Sequence, residues 1–152
     1  MFLRSYVVVA RPFEEVAAEM AAGAENWMPD MARHANGDGQ KLLSELGFSV
    51  GKGRIGRRIK VEMGAPKVRA GLMFLPIRWR AATEAALFPT LDGELEVAAL
   101  GSVGTQLGLS ANYEPPLGFI GKLADRALLH RVAEVTVHDF LVRIGERLEK
   151  AP

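Results

Sequence analysis

The pattern of apolar and polar positions changes period twice along the chain. Residues Phe2 to Ala10 alternate and are rich in valine, which predicts a first strand. Pro12 then suits the first turn of a helix over Phe13–Ala22. Glu14 and Glu15 complement the positive end of that helix, and Phe13, Val16, Ala17 and Met20 form its inner face. Gly23 breaks it. A second short helix is predicted from Glu25 to Arg33, with Trp27, Met28 and Met31 as apolar anchors, before the turn His34-Ala35-Asn36-Gly37-Asp38-Gly39.

From residue 41 the period falls to two. Leu42, Leu46, Phe48 and Val50 share one strand face, and Gly51-Lys52-Gly53 makes a hairpin connection. Ile55, Ile59, Val61 and Met63 continue the inner face, with Arg57 the one cation among them. Gly64-Ala65-Pro66 reads as the next turn. Val68 to Arg80 reads as one long strand, in which Pro76 requires a bulge or an edge position because it lacks an N–H donor. Thr83–Phe88, Gly93–Leu100 and Thr105–Tyr113 supply three further strands, separated by the turns Pro89-Thr90-Leu91-Asp92-Gly93 and Gly101-Ser102-Val103-Gly104. The reading gives seven antiparallel strands, with two short helices between the first and the second.

Tyr113-Glu114-Pro115-Pro116 ends the β region, since consecutive prolines cannot extend a ladder. Leu117, Ile120, Leu123, Ala127, Leu128, Val132, Val135, Leu141, Ile144 and Leu148 then fall mostly three and four apart. That spacing predicts one amphipathic helix from about Leu117 to Leu148. At its full length the helix would run about 45–50 Å, and only the sheet offers an apolar surface to match. A sheet with one apolar face twists and curls around such a helix, and the space between them can enclose a cavity.

Composition narrows the class. A chain of 152 residues is expected to form a single domain spanning 1–152, with 49% apolar and 24% charged residues, the balance of an ordinary globular protein. There is no cysteine, so disulfides and thiolate metal sites are excluded. The opening residues read as a strand and not as a signal peptide, and no apolar run reaches the roughly 18 residues of a membrane span. A cytoplasmic location is expected.

Net charge is +1, but it is unevenly spread. Residues 52–80 carry 9 basic groups against Glu62 alone, and residues 81–100 carry four acids and no base. A basic stripe can be a footprint for phosphates. Adjacent basic and acidic blocks in a meander also place Arg78 or Arg80 opposite Glu84, Glu94 or Glu96 as cross-strand pairs, which is the expectation here. Nucleic acid is not an expected partner.

Beyond pattern, several stretches carry a resemblance: Pro76-Ile77-Arg78-Trp79, the run from Leu87-Phe88-Pro89 to Glu94-Leu95, Thr105 to Tyr113 followed by Glu114-Pro115-Pro116-Leu117-Gly118, and Asp125-Arg126-Ala127-Leu128-Leu129-His130-Arg131-Val132-Ala133-Glu134. With the element order, they resemble the START-like superfamily, also called SRPBCC or polyketide cyclase/dehydrase-like, over nearly the whole chain. The resemblance implies an α+β helix-grip fold, a strongly curved sheet wrapped around the long C-terminal helix. It further implies a hydrophobic cavity for a lipid, polyketide or similar apolar molecule. Some members of the superfamily catalyse cyclisation or dehydration in that cavity, so a cyclase or dehydratase is the alternative function. The superfamily shares no universal catalytic residue. No cofactor is implied, and a monomer or homodimer is expected.

Candidate ligand-binding residues are Arg57, Met73, Trp79, Tyr113, Trp27 and Phe119. Arg57, and Arg78 beside Trp79, could orient an acidic head group, or Arg57 could instead pair with Glu45. The methionine and the aromatics belong to a type that lines promiscuous pockets and also fills ordinary cores. The Tyr113 hydroxyl is the candidate donor or general acid, with Glu45 or Glu84 as candidate carboxylates. His130, Glu134 and His138 share a helix face but span about 12 Å, too far for one metal ion, and read as exposed decoration. No Gly-x-Ser-x-Gly elbow is present, and Gly51-x-Gly53 is too short for a phosphate loop.

Overall fold

The alternation at the start of the chain becomes β1 (Phe2–Val9), the first element in a computed structural model that describes residues 1–24, 27, 59–81, 90–114 and 126–150. Leu3 and Val9 are buried on its inner side with Ser5 and Val7 half-buried, while Phe2, Arg4, Tyr6 and Val8 face out. Pro12 holds the extended backbone that leads into α1 (Phe13–Ala22), and no side chain caps that helix. Phe13, Val16, Ala17 and Met20 are its buried residues, as the spacing predicts, and Gly23 ends it with φ at 145°. Of the second short helix expected over Glu25–Arg33, only Trp27 falls among the described residues.

The remaining strands are β2 (Ile59–Met63), β3 (Lys67–Arg69), β4 (Leu72–Ala81), β5 (Thr90–Leu100) and β6 (Gly104–Glu114). All pairings are antiparallel, in the order β1-β6-β5-β4-β2, with β3 also paired to β4. The described sheet therefore has six strands and not seven. The run Val68–Arg80 is not one strand. It folds back at Ala70-Gly71, where Gly71 takes a left-handed φ of 69° open to glycine, and Arg69 then pairs with Leu72. Strands expected over residues 41–50 and 83–88 lie outside the described residues, as does the Gly51-Lys52-Gly53 hairpin.

Thr90 to Asp92, expected as a turn, instead form the start of β5. Leu91 is buried opposite Tyr113, and Asp92 faces out and accepts a hydrogen bond from Arg78 at 2.9 Å. The cross-strand pair expected for Arg78 thus forms with Asp92 as its partner, in place of Glu94 or Glu96, while Glu84 lies outside the described residues. Glu96 lies near Arg4 at 3.9 Å.

Pro76 is accommodated by the chain that faces it. β4 pairs with β5 without a break from Leu72↔Ala98 to Trp79↔Leu91. On its other edge β3 faces Leu72 to Phe74 and β2 faces Ile77 to Ala81. Between them Gly64, Ala65 and Pro66 stand against only Leu75 and Pro76, so this stretch is a bulge and not the turn the sequence suggests. The Gly64 N–H donates to the Pro76 carbonyl at 2.9 Å. A β-carbon on Gly64 would come within 2.8 Å of Pro76 Cβ, so the close approach requires glycine.

The closing helix, α2 (Arg126–Lys150), is 25 residues long, or about 37 Å. Residues 117–125, where the pattern places its start, lie outside the described residues. Among the side chains described in it, Ala133, Val137, Phe140, Leu141, Ile144 and Leu148 are buried, with Gly145 on the same face. Ala127 and Val135, expected in the apolar stripe, face solvent. Helical phase explains this, because Val135 lies two residues from both Ala133 and Val137, far round from the face they share. α2 lies chiefly on β1 and then on β6, while α1 lies on β5 and β6.

One polar knot ties these elements together. Arg11 donates to Glu15, to Glu19 and, at 2.6 Å, to the Leu148 carbonyl in the last turn of α2. Carbonyls there carry the partial negative charge of the helix end. The hydrogen bond to Glu19 raises the Arg11 pKa above the usual arginine value, against the opposing effect of burial. Thr105 Oγ1 donates to the Arg11 carbonyl at 2.7 Å, and the Ala10 N–H donates to Glu149 at 2.8 Å.

Candidate functional site

Side chains of one parity on β1, β6, β5 and β4 build the inner face of the sheet. The registers arrange them in cross-strand rows: Met73, Val97, Leu107 and Val7; then Leu75, Leu95, Leu109 and Ser5; then Ile77, Gly93, Ala111 and Leu3. A last row runs from the backbone position of Trp79 through Leu91 to Tyr113. Met73, Leu75, Ile77, Leu91, Leu95, Val97, Leu107 and Leu109 are each at most 3% exposed. The third row is the shallow one. A β-carbon on Gly93 would meet both Ala111 Cβ and the Ser110 carbonyl at 2.4 Å, so glycine permits an approach of β5 to β6 that no other residue would.

Two of the candidate residues are thereby brought to one end of the face. Tyr113 is 4% exposed, and Trp79 occupies the register position on the far side of Leu91. Met73 is fully buried but lies six residues along β4 from Trp79, about 20 Å away on an extended strand. Met73 and Tyr113 therefore belong to one buried cluster but to opposite ends of it. Trp27, also completely buried, joins the same cluster from beyond α1. Arg57 and Phe119 lie outside the described residues, as do Glu45 and Glu84.

Polar groups on this face are few. Thr105 is the buried polar or charged residue among those described, and its hydroxyl is used by the Arg11 carbonyl. Ser5 Oγ pairs with His138 Nδ1 at 3.0 Å across the edge of the sheet. His130 Nε2 meets Glu134 at 3.0 Å on the exposed side of α2. The row of His130, Glu134 and His138 thus divides between a helix-surface pair and a helix-to-strand bond. Among the described residues, one buried side-chain nitrogen or oxygen has no hydrogen-bond partner, the indole Nε1 of Trp27. The sequence marks Trp27 as an apolar anchor, but spacing gives no signal that its donor would be left unpaired.

Chemically, the arrangement is an extended apolar surface with a buried phenol at one end and a buried, unpaired indole N–H. No helix among the described residues is long and apolar enough to cross a membrane.

No protein-family model matches the chain, and no curated protein matches it in sequence. Solved structures do match in shape. A conserved protein from Geobacillus kaustophilus is 13% identical with a TM-score of 0.52, over 99% of this chain and 96% of that one. A hypothetical protein from Helicobacter pylori is 9% identical with a TM-score of 0.52, over 96% of this chain and 86% of that one. A START superfamily protein from Mycobacterium smegmatis is 13% identical with a TM-score of 0.45, over 98% and 97% of the two chains. Identities this low speak to the fold alone. Strand, helix, antiparallel sheet and a long closing helix packed on it form an α+β fold shared with the Geobacillus kaustophilus and Helicobacter pylori proteins, and its order of elements is the one expected of a helix-grip chain.

Proposed function

We propose that the protein binds a hydrophobic small molecule, a lipid, polyketide or compound of similar character, between the inner face of the sheet and the C-terminal helix. The observation that carries the reading is the reach of the buried apolar face. It runs from β1 through β6 and β5 to Met73, Leu75 and Ile77 on β4, with α2 chiefly against β1 at one side and α1 on β5 and β6. A surface broader than the helix laid on it suits an apolar ligand, whose burial is favourable by about 25 cal/mol per Å². Tyr113, Trp27 and Met73 are proposed as contacts, with Trp79, Arg57 and Phe119 as the further candidates from the sequence.

Native mass spectrometry of protein purified from its own host tests the proposal. A co-purifying apolar compound, released on denaturation, is the expected result. Protein that is empty and also takes up no apolar fluorescent probe would defeat it.

A second reading, a cyclase or dehydratase using the same surface, is favoured by one observation. The Tyr113 phenol is buried in a mainly apolar face, which supports a role as general acid. Tyr113→Phe would then abolish turnover while leaving affinity nearly unchanged. Equal turnover by the variant would remove Tyr113 from that role.

A further inference from the structure

Trp27 holds a donor with nothing to donate to. Its side chain is 0% exposed and belongs to the core cluster, and its Nε1 has no hydrogen-bond partner. Buried polar groups in folded proteins are paired in the great majority of cases, because losing water without gaining a partner is costly. Two other polar side chains of the inner face, Thr105 and Ser5, are satisfied by the Arg11 carbonyl and by His138. An indole N–H has donor capacity only, so what completes it must be an acceptor. Aromatic residues of this kind supply ligand sites with a large apolar body and one directional polar contact.

We infer that Trp27 is the orienting contact of the proposed apolar site, and that its ligand carries an acceptor oxygen, as a carbonyl, ether or hydroxyl, which takes the indole N–H bond. This deepens the ligand-binding reading above and rests on it. It narrows the ligand class from any hydrocarbon-like molecule to oxygenated apolar ones, and it places the oxygen at Trp27.

Two probes of one shape separate the possibilities: acetylnaphthalene, and the isopropenylnaphthalene in which a methylene replaces the carbonyl oxygen. The chain has two tryptophans, so its nitrogen-correlated proton spectrum holds only two indole N–H signals, and the Trp27→Phe spectrum identifies which is which. The ketone is expected to move the Trp27 signal downfield and to bind about five- to tenfold more tightly than the alkene, the worth of one such bond. Trp27→Phe should abolish that preference while the alkene still binds. Two indole signals that both stay unmoved at saturating ketone would overturn the inference in the unaltered protein, whether or not the variant folds. Persistence of the preference in a folded variant would do the same. Either of these outcomes leaves the apolar site standing, whereas failure of both probes to bind removes the site and the inference with it.

Discussion

Gly145 lies inside α2, where glycine costs about 1 kcal/mol of helix stability relative to alanine. The position is also buried, because the helix meets β1 there. A β-carbon built on Gly145 would stand 3.6 Å from Cγ2 of both Val7 and Val9, an ordinary van der Waals separation. A methyl group therefore fits without displacing either valine, and its burial adds at most about 0.8 kcal/mol. Gly145→Ala should stabilise the protein by about 1 kcal/mol, which for a chain of this size is about 2–4 °C in Tm. Gly93→Ala is the contrasting case, since its β-carbon would sit 2.4 Å from the Ser110 carbonyl oxygen and Ala111 Cβ. Both lie in paired strands with little freedom to retreat, so a loss of about 3 kcal/mol or more is expected. Urea unfolding followed by circular dichroism, with the slope held constant, measures both. Destabilisation by Gly145→Ala, or similar effects of the two substitutions, would refute the geometry that separates them.

Arg11→Met keeps the apolar stem but strips the donors from Glu19 and the Leu148 carbonyl, so a loss of about 2 kcal/mol is expected in the same assay. Because the folded Arg11 pKa is raised, its contribution is complete below the ordinary arginine value and fades only as pH rises through the higher folded one; the difference between wild type and variant should thus not decline from neutral to moderately alkaline pH. Thr105→Val preserves shape but leaves the Arg11 carbonyl without its hydroxyl donor, at a cost of about 1–2 kcal/mol by thermal unfolding. A double-mutant cycle on Arg78 and Asp92 should give under about 1 kcal/mol, falling with added salt, since both side chains are about half exposed; a larger, salt-independent coupling would contradict this.

The parts of the fold legible from sequence are those in which local pattern and tertiary contact agree. The inner residues of α1 and the limits of β1 follow directly from periodicity, because each element has a single buried side. The start of β5 is less legible, because Asp92 and Gly93 look like turn residues in isolation. Asp92 is instead an outward partner for Arg78, and Gly93 a point of close approach to Ala111. Both roles belong to a neighbouring strand that a linear reading does not see. Gly71, by contrast, is a true turn residue within an apolar run, and the run concealed it. In the candidate site, burial of Met73, Tyr113 and Trp27 follows from their apolar character, but the unpaired state of the Trp27 indole depends on everything around it.

The knot at Arg11 has a consequence for how the chain is made. β1 pairs with residues 105–112, and Arg11 reaches Leu148. During synthesis the first strand therefore leaves the ribosome with no partner until more than a hundred further residues have been added. Both of its sides are apolar for that interval, with Leu3, Val7 and Val9 on one and Phe2, Tyr6 and Val8 on the other. Bare edges of this kind invite pairing between nascent chains. The hairpins β3–β4 and β5–β6 can close locally and early, whereas docking of β1 must wait for a long loop to close. A chaperone that shields the first ten residues would thus raise the yield of folded protein more than one acting on the late-made helix.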